Sequence, residues 1–174
     1  MKIPDIHQIE AISAIQRNKE GIVWLPTGTG KTLIQALAIA GSIKLAWEWL
    51  KENGKTEDVP VFATLSPRIL LTNQLYDDIS EILSENKEDV QTLIVHSGRA
   101  KENLKNPIYR EIKSTTSSVE IKNQYERAKA EKVPLIIYGT YDSSERIVKS
   151  GIPVYMLCCD EAHNLVNNEF EWIA

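Results

Sequence analysis

Gly21-Ile22-Val23-Trp24-Leu25-Pro26-Thr27-Gly28-Thr29-Gly30-Lys31-Thr32 decides how the rest of the chain is read. Residues 22–25 are a short β-branched and aromatic run closed by glycine and proline, which predicts a buried strand. A glycine-rich loop follows, and beyond Lys31 the apolar residues recur at helical spacing to about Asn53. The order is strand, loop, helix.

The loop has a chemical reading of its own. Gly28 and Gly30 let the backbone turn successive N–H groups toward one anion, and the helix that follows directs its positive end at the same point. Lys31 is placed to reach the β- and γ-phosphates of a nucleotide as a point charge, and the Thr32 hydroxyl to ligate Mg²⁺. The general pattern G-x-x-x-x-G-K-[ST] asks for a glycine at position 25, where this chain has Leu25. Taken alone, a glycine turn without a ligand is the competing reading.

Outward from the loop, apolar residues from Ile6 to Ile15 recur at mostly helical spacing, with Asp5 after Pro4 as N-cap, which predicts a leading helix to Arg17. Downstream the chain alternates. Strands are expected at residues 61–65, 92–96, 135–138 and 154–159, and helices at 69–83 and 144–149. Such alternation predicts a parallel sheet covered on both faces. Residues 114–118, Ser-Thr-Thr-Ser-Ser, read as a hinge between two helices in the long polar segment from Arg99 to Lys132. That segment holds nine Lys and Arg against five Glu, so it is net +4 in a chain of net charge −4.

A second constellation, Asp160-Glu161-Ala162-His163, stands at the end of the last apolar run. Ligand chemistry in open α/β sheets gathers at the carboxyl ends of the strands. Two adjacent carboxylates there can divide two roles, Asp160 holding hydrated Mg²⁺ and Glu161 polarising an attacking water. By itself an acid pair after a strand is more often the start of a helix; beside the phosphate loop the chemical reading gains.

With 174 residues, 43% hydrophobic and 25% charged, the chain has the composition of an ordinary single globular domain. Residues 33–50 carry Gln35, Ser42, Lys44 and Glu48, a poor membrane span and a good amphipathic helix, so no membrane segment is expected. Asp5 and Glu10 interrupt any secretory signal. The adjacent Cys158 and Cys159 fit no disulfide framework or metal spacing and, like Trp47 and Trp49, are read as packing; a reducing, cytoplasmic setting is expected. The net charge gives no global pull toward nucleic acid, so such binding would have to come from local patches.

In their order, these motifs resemble the N-terminal RecA-like motor domain of superfamily 2 helicases and translocases of DEAH type. The resemblance runs over nearly the whole chain: Gln8, the loop from Leu25 to Thr32, residues 65–74, Gly139 to Tyr141, and Asp160 to His163. It implies an α/β fold, a RecA-like P-loop NTPase with a parallel sheet and helices on both faces, incomplete at its C-terminus, residues 1–174 being part of a larger protein. ATP and Mg²⁺ are the implied cofactors. Gln8 would read the adenine edge; Pro26, Thr27, Gly28, Thr29, Gly30, Lys31 and Thr32 would hold the phosphates; Thr32 and Asp160 would hold the metal. Lys31, Asp160 and Glu161 would be catalytic, and His163 would couple the nucleotide site to nucleic acid. Ser66, Pro67 and Arg68, and Gly139, Thr140 and Tyr141, match segments that contact nucleic-acid phosphates in the family. His96-Ser97-Gly98-Arg99 could extend that track, though an ordinary loop is the stronger reading there.

The spelling Leu25-Pro26-Thr27-Gly28 is more similar to DNA translocases of restriction, repair and phage recombination than to RNA helicases, so DNA is the expected partner. A motor of this family needs a second RecA-like domain, whose arginine completes the charge around the transferring phosphate. The next segment of the family, a strand ending in a Ser-Ala-Thr-like motif, is not found after His163 either. Since it lies between the strands carrying Lys31 and Asp160, an open slot is expected in the sheet. The isolated chain is expected to bind ATP weakly and hydrolyse it little. A stand-alone P-loop enzyme, such as a small-molecule kinase, uses the same cradle but needs a lid and an acceptor site. A non-catalytic module is disfavoured by the retention of Lys31, Thr32, Asp160 and Glu161.

Overall fold

A computed structural model describes residues 3–26, 28–97 and 114–164. The helices are α1 (Ile6–Arg17), α2 (Lys31–Glu52), α3 (Ile69–Glu85), α4 (Ser118–Glu131) and α5 (Ser144–Ser150). The strands are β1 (Val61–Ser66), β2 (Gln91–Val95), β3 (Ser114–Thr115), β4 (Leu135–Thr140) and β5 (Met156–Cys159). They form one five-stranded sheet of order β3-β2-β4-β1-β5, with every pairing parallel. The α/β fold with a parallel sheet is as the sequence implies.

β1, β2 and β4 are buried along their whole length. They read as continuous apolar runs because a parallel sheet with helices on both faces has no wet side. On one face Phe62, Ile94, Ile136 and Tyr138 pack against Ile39, Ile43 and Ala46 of α2 and Leu75 and Ile79 of α3. On the other, Ala63, Leu93 and Ile137 pack against Ile121, Tyr125 and Ala128 of α4 and Ile147 of α5. α2 is long and apolar enough, by length and composition only, to cross a membrane. Its buried residues, Ile34 to Leu50, account for that apolarity as core packing.

Two expectations are corrected. Residues 22–25 form no strand: the run pairs with nothing in the sheet, and Ile22 and Trp24 are 85% and 86% exposed. β-propensity describes what fits a pleated, half-buried surface, and a ladder still needs a neighbour. β5 pairs only with β1, so among the described residues its other edge carries no strand, where the slot was expected. Residues 114–118 are not a hinge. Ser114 and Thr115 pair with Ile94 and Val95, and Ser117 caps α4, its Oγ accepting from the Glu120 N–H at 3.3 Å.

Candidate nucleotide and phosphate-contact site

All strands run in one direction, so their carboxyl ends share an edge. Register pairs Ser66 with Thr140 and Leu65 with Cys159, and the Asp160 N–H continues the ladder to the Leu65 carbonyl at 2.8 Å. Three of the predicted segments, those beginning at Ser66, Gly139 and Asp160, therefore leave the sheet side by side.

The phosphate loop reaches this edge through α2. Gly28 and Gly30 have φ of 83° and 79°, in the left-handed region that glycine enters without steric cost, and Gly30 is the N-cap of α2. A side chain at Gly30 would also meet Gln8 Nε2 at 2.4 Å. Gln8 is buried; its Nε2 donates to the Thr29 carbonyl at 2.8 Å and its Oε1 accepts from the Asp5 N–H at 2.9 Å. Thr29 Oγ1 in turn donates to the Pro26 carbonyl at 2.7 Å. In this state both ends of the Gln8 amide hold backbone, one of them the loop itself. Thr27 lies outside the described residues.

Lys31 and Thr32 open α2, and Lys31 Nζ lies 3.5 Å from Glu161 Oε1. Both side chains are about one-third exposed, so this pair contributes at most about 1 kcal/mol and can yield to a triphosphate. Glu161 holds the left-handed φ of 54°, and its other oxygen is 3.3 Å from His163 Nδ1. Glu161 thus stands between the loop lysine and the exposed histidine.

Asp160 is half-buried. Burial and the Glu161 carboxylate push its carboxyl above the ordinary range, while Lys31 and a hydrogen bond from Gln35 oppose the shift. Gln35 Nε2 donates to Asp160 Oδ1 at 3.2 Å, and the Tyr141 hydroxyl donates to the Asp160 carbonyl. The sequence reading missed both partners of Asp160. For Gln35 a signal existed: it stands four residues after Lys31, hence on the same helical face.

Among the described residues no three His, Cys, Asp or Glu side chains form a metal cage. One carboxylate and one hydroxyl from Asp160 and Thr32, completed by phosphates and water, is the donor set that suits Mg²⁺. The thiols play no part. Burial and Cys159 push Cys158 up to about 12, and burial pushes Cys159 up to about 11, so both stay protonated at neutral pH.

The candidate nucleic-acid residues divide. Arg68 is exposed at the start of α3. Ser66 is fully buried, its Oγ 2.7 Å from Thr72 Oγ1, and Thr72 Oγ1 also reaches the Gly139 carbonyl at 3.3 Å. Thr140 is buried and its hydroxyl donates to Ser143 Oγ at 2.8 Å. Tyr141, 2% exposed, points inward to Asp160, so its side chain does not face a ligand outside the sheet. His96 is buried against Asn73 Oδ1 at 2.9 Å, which favours the ordinary-loop reading; Gly98 and Arg99 lie outside the described residues, as does the basic segment before Ser114. In the described half of that segment, Lys129 pairs with Glu126 and Asp58, and Arg127 with Glu131.

Comparison with known proteins bears on the fold and the family. Among solved structures the chain is similar to the nuclease-deletion mutant of the Type ISP restriction-modification enzyme LlaGI in complex with a DNA substrate mimic. The TM-score is 0.67 at 23% identity, over 94% of this chain and 15% of that one. The likeness is one of fold, and the chain spans only a small part of that enzyme's length. No curated protein matches the chain. The family described as "Type III restriction enzyme, res subunit" matches residues 2–174, nearly from end to end. The chain belongs to that family, and its fold is that of a superfamily 2 helicase RecA-like domain.

Proposed function

We propose that this chain is the ATP-binding motor domain of an ATP-dependent DNA helicase or translocase. The observation that carries the reading is the meeting of the phosphate-loop lysine with the acid pair, Lys31 Nζ 3.5 Å from Glu161 Oε1, at the sheet edge where the segments at Ser66 and Gly139 also emerge. Membership of the family and the fold supports it.

In this reading the loop N–H groups from Gly28 to Lys31 hold the triphosphate, and Lys31 leaves Glu161 for the β- and γ-phosphates. Freed, Glu161 orients the attacking water and takes its proton. Thr32 and Asp160 would hold Mg²⁺, which when bound neutralises charge on the β- and γ-oxygens. Gln8 turns from the Thr29 carbonyl toward the adenine edge, where its amide can both donate and accept. His163, bonded to Glu161, reports the state of the site to the nucleic-acid face. DNA phosphates meet Arg68, Pro67 and backbone N–H groups at the start of α3, while Ser66, Thr140 and Tyr141 hold that edge in shape from within. A second RecA-like domain of the longer protein supplies the arginine that completes hydrolysis, and a strand of the same protein fills the open side of β5. A DEAH-type acid motif, a cytoplasmic setting and low hydrolysis by the chain alone belong to the same proposal.

The test is binding of a fluorescent ATP analogue by the chain, with and without Mg²⁺, beside Lys31→Ala. Removing the point charge from the phosphates should weaken Mg²⁺-dependent binding by at least about tenfold, since hydrogen bonds to charged groups are worth about 1.5–3 kcal/mol. Equal binding by the variant would overturn the assignment. Strong DNA-stimulated hydrolysis by the chain alone would remove the need for the second domain.

A further inference from the structure

Asp160 is held from a side that the phosphate-loop motif does not include. Gln35 stands one helical turn after Lys31 on α2, and its Nε2 donates to Asp160 Oδ1 at 3.2 Å. The two residues are 125 positions apart in sequence, so this hydrogen bond ties the helix that begins at the phosphates to the end of β5. The other end of the same amide, Gln35 Oε1, is buried and has no hydrogen-bond partner among the described residues. A buried carbonyl oxygen left unpaired costs about 1–3 kcal/mol, so its presence beside a carboxylate calls for an occupant that donates.

The neighbouring charges say what kind of donor fits. Asp160 and Glu161 place two carboxylates here with Lys31 as the countercharge. An anion brings no hydrogen-bond donor to that oxygen. A cation with its own water shell is attracted by the carboxylates, and its waters are hydrogen-bond donors that an amide oxygen can accept. Mg²⁺ dehydrates reluctantly and keeps several waters, so the groups around its protein ligand meet mainly water. Gln35 carries both groups on one planar amide: Nε2 donates to the ligand carboxylate, and Oε1 is an acceptor without a partner among the described residues.

We infer that Gln35 is a positioning residue for the divalent cation, its Nε2 fixing the rotamer of Asp160 and its Oε1 accepting from a water on the metal. The inference rests on the reading of Lys31, Thr32 and Asp160 as a magnesium-nucleotide site. Outer partners of metal ligands typically change metal affinity by about 10–100-fold when removed. Tyr141 completes the support by holding the Asp160 main chain from the turn just beyond β4, so backbone and carboxylate are fixed by different elements.

The experiment titrates Mg²⁺ into the chain and a fluorescent ATP analogue, reading the Mg²⁺ concentration for half-maximal binding, and measures nucleotide affinity separately in EDTA. The variants are Gln35→Met, which keeps length and helix propensity but removes both polar atoms, and Gln35→Ala; thermal melts of each show that it is folded. Gln35→Met should raise the half-maximal Mg²⁺ concentration by about tenfold or more and leave the EDTA affinity unchanged. A variant with the wild-type Mg²⁺ requirement would overturn the inference. So would an equal loss with and without Mg²⁺, which is what a merely structural role predicts. If the wild-type chain binds the nucleotide no better in Mg²⁺ than in EDTA, the magnesium-nucleotide reading itself fails, and that outcome is distinct from failure of Gln35 alone.

Discussion

Residues 22–25, Ile-Val-Trp-Leu, and residues 61–65, Val-Phe-Ala-Thr-Leu, are the same kind of sequence and meet opposite fates. The second run is β1, paired on both sides by β4 and β5 and buried on both faces. The first is unpaired in the sheet and largely exposed. Composition cannot separate them, since both are short, β-rich and bounded by glycine or proline. What separates them is the neighbour: the flank that would accept the first run, outside β5, carries no strand among the described residues. Local pattern sets a segment's fitness for a sheet, and the partner decides whether that fitness is used.

The largest break in the comparison comes from its buried member. Phe62 is fully buried between β4 and β5, packed in the core shared by α2 and α3. Phe62→Ala removes a ring that no neighbour can replace and leaves a cavity, so it should cost about 3–5 kcal/mol. Urea denaturation of the chain measures this directly as a drop in midpoint at unchanged slope. A loss under 1 kcal/mol would mean that the centre of the sheet is not packed as described.

That asymmetry also explains which parts were legible in advance. β1, β2 and β4 were readable because strands buried on both faces spell continuous apolar runs, and α1 because Asp5 after Pro4 marks its start. Ser114 and Thr115 read as a hinge in the sequence because polar residues carry no apolar signal. Their strand is made by backbone pairing to Ile94 and Val95, which a side-chain pattern does not record. Lys31, Asp160 and Glu161 were found from their motifs, and the structure brings them together. Gly139, Thr140 and Tyr141 match a nucleic-acid-contacting segment by resemblance, yet Tyr141 is buried and holds Asp160. Burial of a tyrosine depends on which strand lies alongside, and a linear motif is silent on that.

A smaller effect sharpens the comparison at the loop that follows the unpaired run. This loop has no strand ladder behind it, yet Gln8 holds the Thr29 carbonyl and Gly30 takes the left-handed turn into α2. Gly30→Ala would force a Cβ into the left-handed region and against Gln8 Nε2, 2.4 Å away. Backbone strain of this kind costs about 1–3 kcal/mol. Denaturation of Gly30→Ala should therefore fall between wild type and Phe62→Ala. Adding Gln8→Ala should return part of the loss by opening space, a coupling that a double-mutant cycle reads. Simple additivity would show that the α1 glutamine does not clamp the loop.

The smallest effect is expected at Trp24, and it bears most directly on what separates the two runs. An aromatic residue in a sheet of this type would ordinarily be worth as much as Phe62, but Trp24 is 86% exposed and carries no ladder pairing. Substitution away from packed features is usually within about 0.5 kcal/mol, so Trp24→Ser should leave the denaturation midpoint of the chain almost unchanged. A loss approaching that of Phe62→Ala would mean that residues 22–25 find a partner in solution, either β5 of the same chain or the edge of another copy. The two are separated by concentration, because pairing between copies makes stability depend on protein concentration and pairing within one chain does not. If, as proposed, the chain belongs to a longer protein that supplies a strand between Trp24 and β5, the same substitution there should be costly, and the difference in cost between the two contexts measures how much of the sheet depends on that partner.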